Sequence, residues 1–498
     1  MAPALRGSAE EKLLPERHLI LIVQRSNYPQ MGALYLTNAL LSHGISTHLM
    51  PSDAPTEQLD QLIGRYDPIA IGCSVMTAPE IVDFVRHSKH VQETYNHTRK
   101  RLPVIWGGMH PTIVWRQTME EPYIDIVVSG EAEITLPRLL NDVIHRNILP
   151  AQKLVQVETP PHLDRFRPQW EELDVSKFVF PESHSVHADV DFQKESIFYY
   201  LLTSRGCTYK CNFCWEVART EALKAEMNRD GTTVDLTWRA HSETWVTEQL
   251  DYLERRLASE GAVMDGVGLW DDMIFGREKE AHLVRAKGIF NGMRERRFGY
   301  LLEARASQLM QKSDRWNDAG LRREGDLYRF LKDTGCMQVF VGTESADQGT
   351  LNLIQKGTKA ADYMRLVELS RDIGLPLRFS MIVGFPEESD RSVNETLDLI
   401  ERLKGEPFVS VSGPKCFTPY PGTPQYDAAL KRGLKVPNDT LGWAYLTRYA
   451  DYRSLYPWLT ENCSPSTLSR IDSSWESVPD EKKTQPKEER ILEIVRQH

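Results

Sequence analysis

The chain holds only 7 cysteines in 498 residues, an odd number, and three of them sit within one short stretch. A disulfide framework needs paired cysteines spread along the chain, so these thiols read as metal ligation in a reducing compartment. Long apolar runs are missing too. None reaches the ~18 residues that a membrane helix requires, so no membrane partner is expected. The first stretch, Met1-Ala-Pro-Ala-Leu-Arg-Gly-Ser-Ala-Glu-Glu-Lys12, lacks the apolar segment of a signal peptide, and a cytoplasmic location is expected. Surplus positive charge is also absent. With 60 Lys and Arg against 70 Asp and Glu the net charge is −10, which argues against nucleic acid as a partner and for a small-molecule substrate. There is no repeat at solenoid period and no low-complexity tract.

What is present is an ordinary globular composition, 41% hydrophobic and 26% charged, in a chain too long for one core. Residues 1–150 alternate β-rich runs with helical stretches: His18–Val23, a helix near Met31–Ser42, Ile45–Met50, Pro68–Cys73, a helix near Pro79–Asn96, Pro103–Trp106 and Ile124–Val128. Strands separated by such helices require parallel pairing with right-handed crossovers, so an α/β, doubly wound (Rossmann-like) domain is expected, with ligand loops at the carboxyl ends of its strands. Residues 151–195, proline-bearing and without periodicity, read as a linker. Over 196–425 six further βα units follow, and 426–498 is read as a helical, aromatic carboxyl-terminal region. There Tyr445, Tyr449, Tyr452 and Tyr456 fall on one expected helix face, more simply a stripe docking on the preceding domain than a substrate pocket. Ser473–His498 is expected to be a peripheral helix or mobile tail.

The chemistry begins at Cys207, Cys211 and Cys214, just after the strand-like run Ser196–Thr203. Three thiolates suit iron better than structural zinc, which needs a fourth ligand, and no second CxxC or HxxxH lies nearby. A four-iron, four-sulfur cluster on three cysteines leaves one iron open. Cys73, Cys336, Cys416 and Cys463 read as buried, unpaired thiols.

The run CxxxCxxC with Phe213 before its last Cys resembles the radical S-adenosylmethionine (SAM) enzymes. The resemblance implies that the open iron chelates SAM, that reductive cleavage yields a 5′-deoxyadenosyl radical, that an external flavodoxin- or ferredoxin-type protein donates the electron, and that the six units form a partial (β/α)6 barrel. It further implies SAM contacts, beside Phe213, at strand ends: Asp272 of the Asp271-Asp272 pair, Glu303 and Arg305, Glu344 and Ser345 of a GxES element, and Gly384 on the fifth strand. The carboxylates would take the ribose and amino group of SAM, and Arg305 its carboxylate.

Upstream, Trp106-Gly-Gly-Met-His-Pro-Thr112 and Ser129-Gly-Glu-Ala-Glu133 resemble the GGxHPT and GExE signatures of the cobalamin-binding domain in one radical SAM subfamily. That implies cobalamin contacts at Gly32, Ser74, Gly107, Gly108, Gly130 and Glu131. Pro29 occupies the position where DxHxxG domains place their cobalt-ligating His, so cobalamin is expected base-off, without a His ligand. His110 is read as part of the loop structure. The whole resembles the cobalamin-dependent, methyltransferase-like radical SAM enzymes, in which methylcobalamin passes a SAM-derived methyl group to an unactivated carbon or a phosphorus. A natural-product intermediate is a suitable substrate. The alternatives are a cyclase or rearrangement enzyme that transfers no methyl group and, from another class, a non-catalytic cobalamin-binding protein.

Overall fold

The computed structural model describes residues 17–24, 31–96, 101–146, 154–156, 160, 162–172, 179–180, 196–227, 238–276, 280–310, 323–446 and 452–476. Two parallel sheets organise it. The first contains β1 (Arg17–Val23), β2 (Ile45–Pro51), β3 (Ala70–Ser74), β4 (Val104–Gly107), β5 (Ile126–Ser129) and β6 (Leu154–Gln156) in the order β2-β1-β3-β4-β5-β6, every pair parallel. β1 is apolar on both faces because helices cover both: Leu19 belongs to one core cluster, and Ile20 and Ile22 to the other. The chain order reverses direction across β1 and β3, which opens a crevice at their carboxyl ends. Ser74 and Gly107 are register partners there. β6 carries this sheet beyond residue 150, into the stretch expected to be linker.

The second sheet begins with β7 (Val179–Phe180), the one antiparallel neighbour, followed by β8 (Ser196–Leu201). Two short strands, β9 (Ser204–Arg205) and β10 (Arg239–Ala240), form a separate antiparallel ribbon. β11 (Gly266–Leu269), β12 (Gly299–Arg305), β13 (Cys336–Glu344), β14 (Leu377–Val383) and β15 (Val409–Cys416) complete the sheet, in the order β15-β14-β13-β12-β11-β8-β7. Six parallel strands therefore follow one another in chain order, as a partial barrel requires.

Glycine admits the tight contacts of β11. A Cβ at Gly266 or Gly268 would lie 2.5 Å or less from the rings of Phe198 and Tyr200 on β8. Cys73, Cys336, Cys416 and Cys463 are all buried and unpaired.

The carboxyl-terminal aromatics depart from the expected single helix face. They are distributed over short helices Trp443–Leu446, Tyr452–Leu455 and Pro457–Asn462, with Tyr449 outside the described residues. Tyr456 precedes Pro457 and is forced out of helical backbone, at φ −121° and ψ 75°. The aromatics that are described pack inward: the Tyr456 hydroxyl donates to Leu446 O at 2.9 Å, and Trp458 Nε1 donates to Gly384 O at 2.9 Å. Helix Pro465–Glu476 docks on helix Asp390–Leu403, and the remaining tail lies outside the described residues.

Candidate active site

The cysteine loop leaves the ribbon strand β9 through Gly206, whose φ of +86° suits a residue without a Cβ. Cys211 is buried, and Cys207 and Cys214 are half-buried. The loop is pinned through Asn212, whose backbone N–H donates to Ile354 O at 3.1 Å and whose side-chain Nδ2 donates to Leu353 O at 2.8 Å. Helix Trp215–Met227 starts directly after Cys214, directing its amino-terminal dipole toward the thiols. Burial pushes the Cys207 thiol up to about 11 and the Cys214 thiol higher still, with the neighbouring cysteine charges adding to both.

Arg305 ends β12 and faces this loop. Its Nη1 lies 3.2 Å from Cys211 Sγ, and its guanidinium stacks 3.8 Å from the Tyr209 ring centre. Among the described residues its buried Nε and Nη2 have no hydrogen-bond partner, so two donors of a planar fork remain for a ligand carboxylate. Among the described residues no His, Cys, Asp and Glu group closes on a single metal ion. Three mutually interacting thiols with unfilled donors beside them fit a multi-iron cluster, whose irons occupy separate corners.

Alternation along β12 puts half-buried Glu303 and Arg305 on one face. Burial pushes the Glu303 carboxyl up to about 7, with Glu344 adding to the shift and Lys415 opposing it. Asp272 is exposed to solvent inside the site although protein surrounds it, and desolvation together with the Glu216 charge pushes its carboxyl up to about 8. Asp271 instead serves the framework, accepting from Thr203 Oγ1 at 3.1 Å and Ser204 Oγ at 2.6 Å. Glu344 sits at left-handed φ +68°, where the register of β13 against β14 shifts. Its Oε1 accepts from Lys356 Nζ at 2.7 Å and its Oε2 from Ser380 Oγ at 3.4 Å. Such a backbone costs about 1–3 kcal/mol and marks a site held by its surroundings.

Ser345 is turned into the packing, its hydroxyl 3.1 Å from Thr396 Oγ1 and accepting from Asp347 N–H at 3.2 Å. Phe213 meets Phe385 edge-on at 5.4 Å. Gly384 takes a φ of +90°, and its N–H donates to Glu388 Oε2 at 2.7 Å. Burial pushes the Glu388 carboxyl up to about 8 against the opposing Gly384 and Phe385 N–H groups. A raised folded pKa contributes stability that is fully present below the unfolded value of 4.5 and lost as pH rises toward 8. Chemical denaturation of the cofactor-free chain is expected to show stability declining over that window. Glu388→Gln is expected to remove up to about 1.4 kcal/mol per pH unit of that slope, and an unchanged slope would refute the assignment.

On the first sheet, Gly108 has φ +97° and lies so close to β3 that a Cβ would meet Val75 N and O at 2.9 Å. At Gly107 a Cβ would make only ordinary contact, 3.4 Å from Val128 O on β5. Gly32 faces open space near the start of its helix, and Gly130, at φ +93°, donates its N–H to Thr112 Oγ1 at 2.9 Å. Gly32, Gly108, Gly130 and half-buried Ser74 all lie at the carboxyl end of this parallel sheet, the end at which such folds take a large cofactor, and the absence of Cβ atoms leaves backbone there for it to approach. His110 is fully buried, its Nδ1 3.2 Å from Thr77 Oγ1, and desolvation holds its ring down to about 3. Pro29 lies outside the described residues.

The Glu131 carboxylate has another engagement than the expected cofactor contact. It accepts from Arg205 Nη1 at 2.8 Å, is ion-paired with both Nη atoms of Arg239, and lies 3.6 Å from Arg219 Nη1. Burial alone would raise this carboxyl, but the arginines hold it down to about 2. Sequence reasoning missed these arginines and Lys356. The available signal was that Arg205 and Arg219 flank the cysteine motif.

Two family models match the chain: the B12 binding domain over residues 17–140 and the radical SAM superfamily over residues 306–400. The second covers β13 and β14, and the cysteine loop lies upstream of it in the same domain. An uncharacterized methyltransferase of Pyrococcus horikoshii is 23% identical across 91% of this chain and 89% of its own length. The anaerobic magnesium-protoporphyrin IX monomethyl ester cyclase of Rubrivivax gelatinosus is 23% identical across 74% of this chain, which spans 61% of that protein. The radical SAM methyltransferase TsrM of Kitasatospora setae, solved with cobalamin and a [4Fe-4S] cluster, aligns over 92% of this chain and 91% of its own at 15% identity and a TM-score of 0.59. At that identity the likeness shows the fold. One polypeptide thus joins a segment that matches the B12 binding domain to one that matches the radical SAM superfamily, with Glu131 of the first meeting Arg205 beside the cysteine loop.

Proposed function

We propose that the chain is a methyltransferase that moves a methyl group of SAM, carried by cobalamin, to an unactivated carbon or a phosphorus of a small molecule. The observation that carries this reading is the approach of the two sets of loops, with Glu131 at the end of β5 and Arg205 beside the cysteine loop 2.8 Å apart. Two cofactors serving one substrate must share one cavity. When bound, the cluster supplies the electron that cleaves SAM and the cobalamin carries the methyl group. The chain's own part is to bind, orient and exclude. Cys207, Cys211 and Cys214 hold the cluster. Arg305 presents its free donors to the SAM carboxylate, and Asp272, Glu303 and Glu344 offer acceptors for ribose and amino groups. A flavodoxin- or ferredoxin-type protein is the proposed electron source.

Cobalamin is proposed to bind base-off with no histidine on cobalt, supported by Pro29 and by the burial of His110. The reconstituted protein is expected to show a base-off corrin spectrum; a His-ligated signal would contradict this. Product mass tests methyl transfer itself. A gain of one CH2 together with 5′-deoxyadenosine is the expected result. An unchanged carbon count would instead support a cyclase or rearrangement, the reading that the similarity to the Rubrivivax gelatinosus cyclase favours.

A further inference from the structure

The ion cluster between the domains touches both cofactor loops at once. It contains three carboxylates, Glu131, Glu133 and Glu216, and three guanidiniums, Arg205, Arg219 and Arg239, with side chains at most 14% exposed. On the barrel side the arginines bracket the cysteines. Arg205 lies two residues before Cys207 and is the register partner of Arg239 in the ribbon, while Arg219 lies five residues after Cys214 and is held by Glu216 at 2.9 Å.

On the other side, three segments of the cobalamin cradle reach the same groups. Glu131 and Glu133 follow Gly130, and Arg205 pairs with Glu133 Oε1 at 2.7 Å. Gly130 N–H donates to Thr112 Oγ1, whose hydroxyl donates to Gly108 O at 2.6 Å, tying in the second loop. Tyr35, on the helix that bears Gly32, lies under the Arg205 guanidinium at 4.8 Å. Helix Met109–Ile113 also packs on helix Trp215–Met227. Solvated ion pairs tolerate many geometries, whereas a desolvated, charge-balanced network is stable in few.

We propose that Glu131 and Glu133 are positioning residues, clamping the cobalamin cradle onto the arginines that flank the cysteine loop and so setting the separation between the two cofactors. This rests on the two-cofactor reading above. Glu131→Gln removes the central charge while keeping the side chain's size. Gln117→Leu is the comparison, because Gln117 also joins the domains, accepting from Trp443 Nε1 at 2.5 Å and donating to Pro437 O at 2.8 Å, and is not a member of the ion cluster.

In the cofactor-free full chain, amide exchange over residues 204–219 is expected to accelerate about tenfold in Glu131→Gln and to stay unchanged in Gln117→Leu. After anaerobic loading with iron, sulfide and cobalamin, electron paramagnetic resonance of the reduced protein is expected to show one defined cobalt–cluster coupling in the parent. A weakened or broadened coupling is expected in Glu131→Gln. Should that variant not fold, Arg239→Gln, which removes one of three cations, carries the same expectations. Unchanged exchange overturns the clamp, and faster exchange with unchanged coupling overturns its positioning role, leaving a merely stabilising contact. Neither result touches methyl transfer, and a product without added CH2 would remove methyl transfer while leaving the clamp.

Discussion

Cys211→Ala is expected to abolish cluster assembly and, with it, SAM cleavage to below detection. Two cysteines cannot hold a cubane and leave one iron for SAM, and there is no substitute thiol at hand, since Cys73, Cys336, Cys416 and Cys463 are each buried elsewhere in the framework. The substitution also takes away the acceptor of Arg305 Nη1, leaving a further guanidinium donor without a partner. Iron and sulfide analysis of the anaerobically purified variant, with 5′-deoxyadenosine quantified in the same sample, measures both losses. Retained iron with retained cleavage would falsify the ligand assignment.

The second large effect is expected at Glu344. Truncation by Glu344→Ala leaves Lys356, whose side chain is only 8% exposed, as an uncompensated buried cation, and breaking such a pair costs about 3–5 kcal/mol. SAM affinity is expected to fall as well, while cobalamin binding, on the other domain, is spared. The milder Glu344→Gln separates the two consequences. It keeps an acceptor for Lys356, though not its counter-charge, so part of the stability is expected to return while SAM binding stays weak. Calorimetric SAM titration beside denaturant unfolding reads both, and undiminished SAM affinity in both variants removes Glu344 from the SAM site.

What could be read in advance divides by distance along the chain. The grouping of Cys207, Cys211 and Cys214 was legible because the three lie within one loop, and β11, β12 and β13 were legible as apolar runs ending in polar residues, at or just past whose ends Asp272, Arg305 and Glu344 lie. The doubly wound domain followed from its rhythm of strands and helices. The partners of Glu131 were not legible in this way. Arg205 and Arg239 are 74 and 108 residues away, and only the folded ribbon of β9 and β10 brings them together. A lone glutamate in a glycine loop carries no sign along the chain of the arginines that it meets in the fold. The aromatic stripe misled because spacings of three and four predict one helix face only where the helix is continuous, whereas Tyr445 and Tyr452 belong to separate helices and Tyr456, before Pro457, lies outside helical backbone. Ser345 illustrates a further limit: adjacency to Glu344 implied a shared role, yet β13 ends at Glu344 with left-handed backbone, and the Ser345 hydroxyl lies 3.1 Å from Thr396 Oγ1.

The central claim is that one chain holds two cofactors, and cofactor stoichiometry tests it most directly. Anaerobic reconstitution of the full chain with iron, sulfide and cobalamin, followed by metal analysis and an absorption spectrum, is expected to give about four irons and about one cobalt per polypeptide, with iron–sulfur and corrin bands together. A chain that assembles its cluster yet retains no cobalamin after desalting would contradict the account.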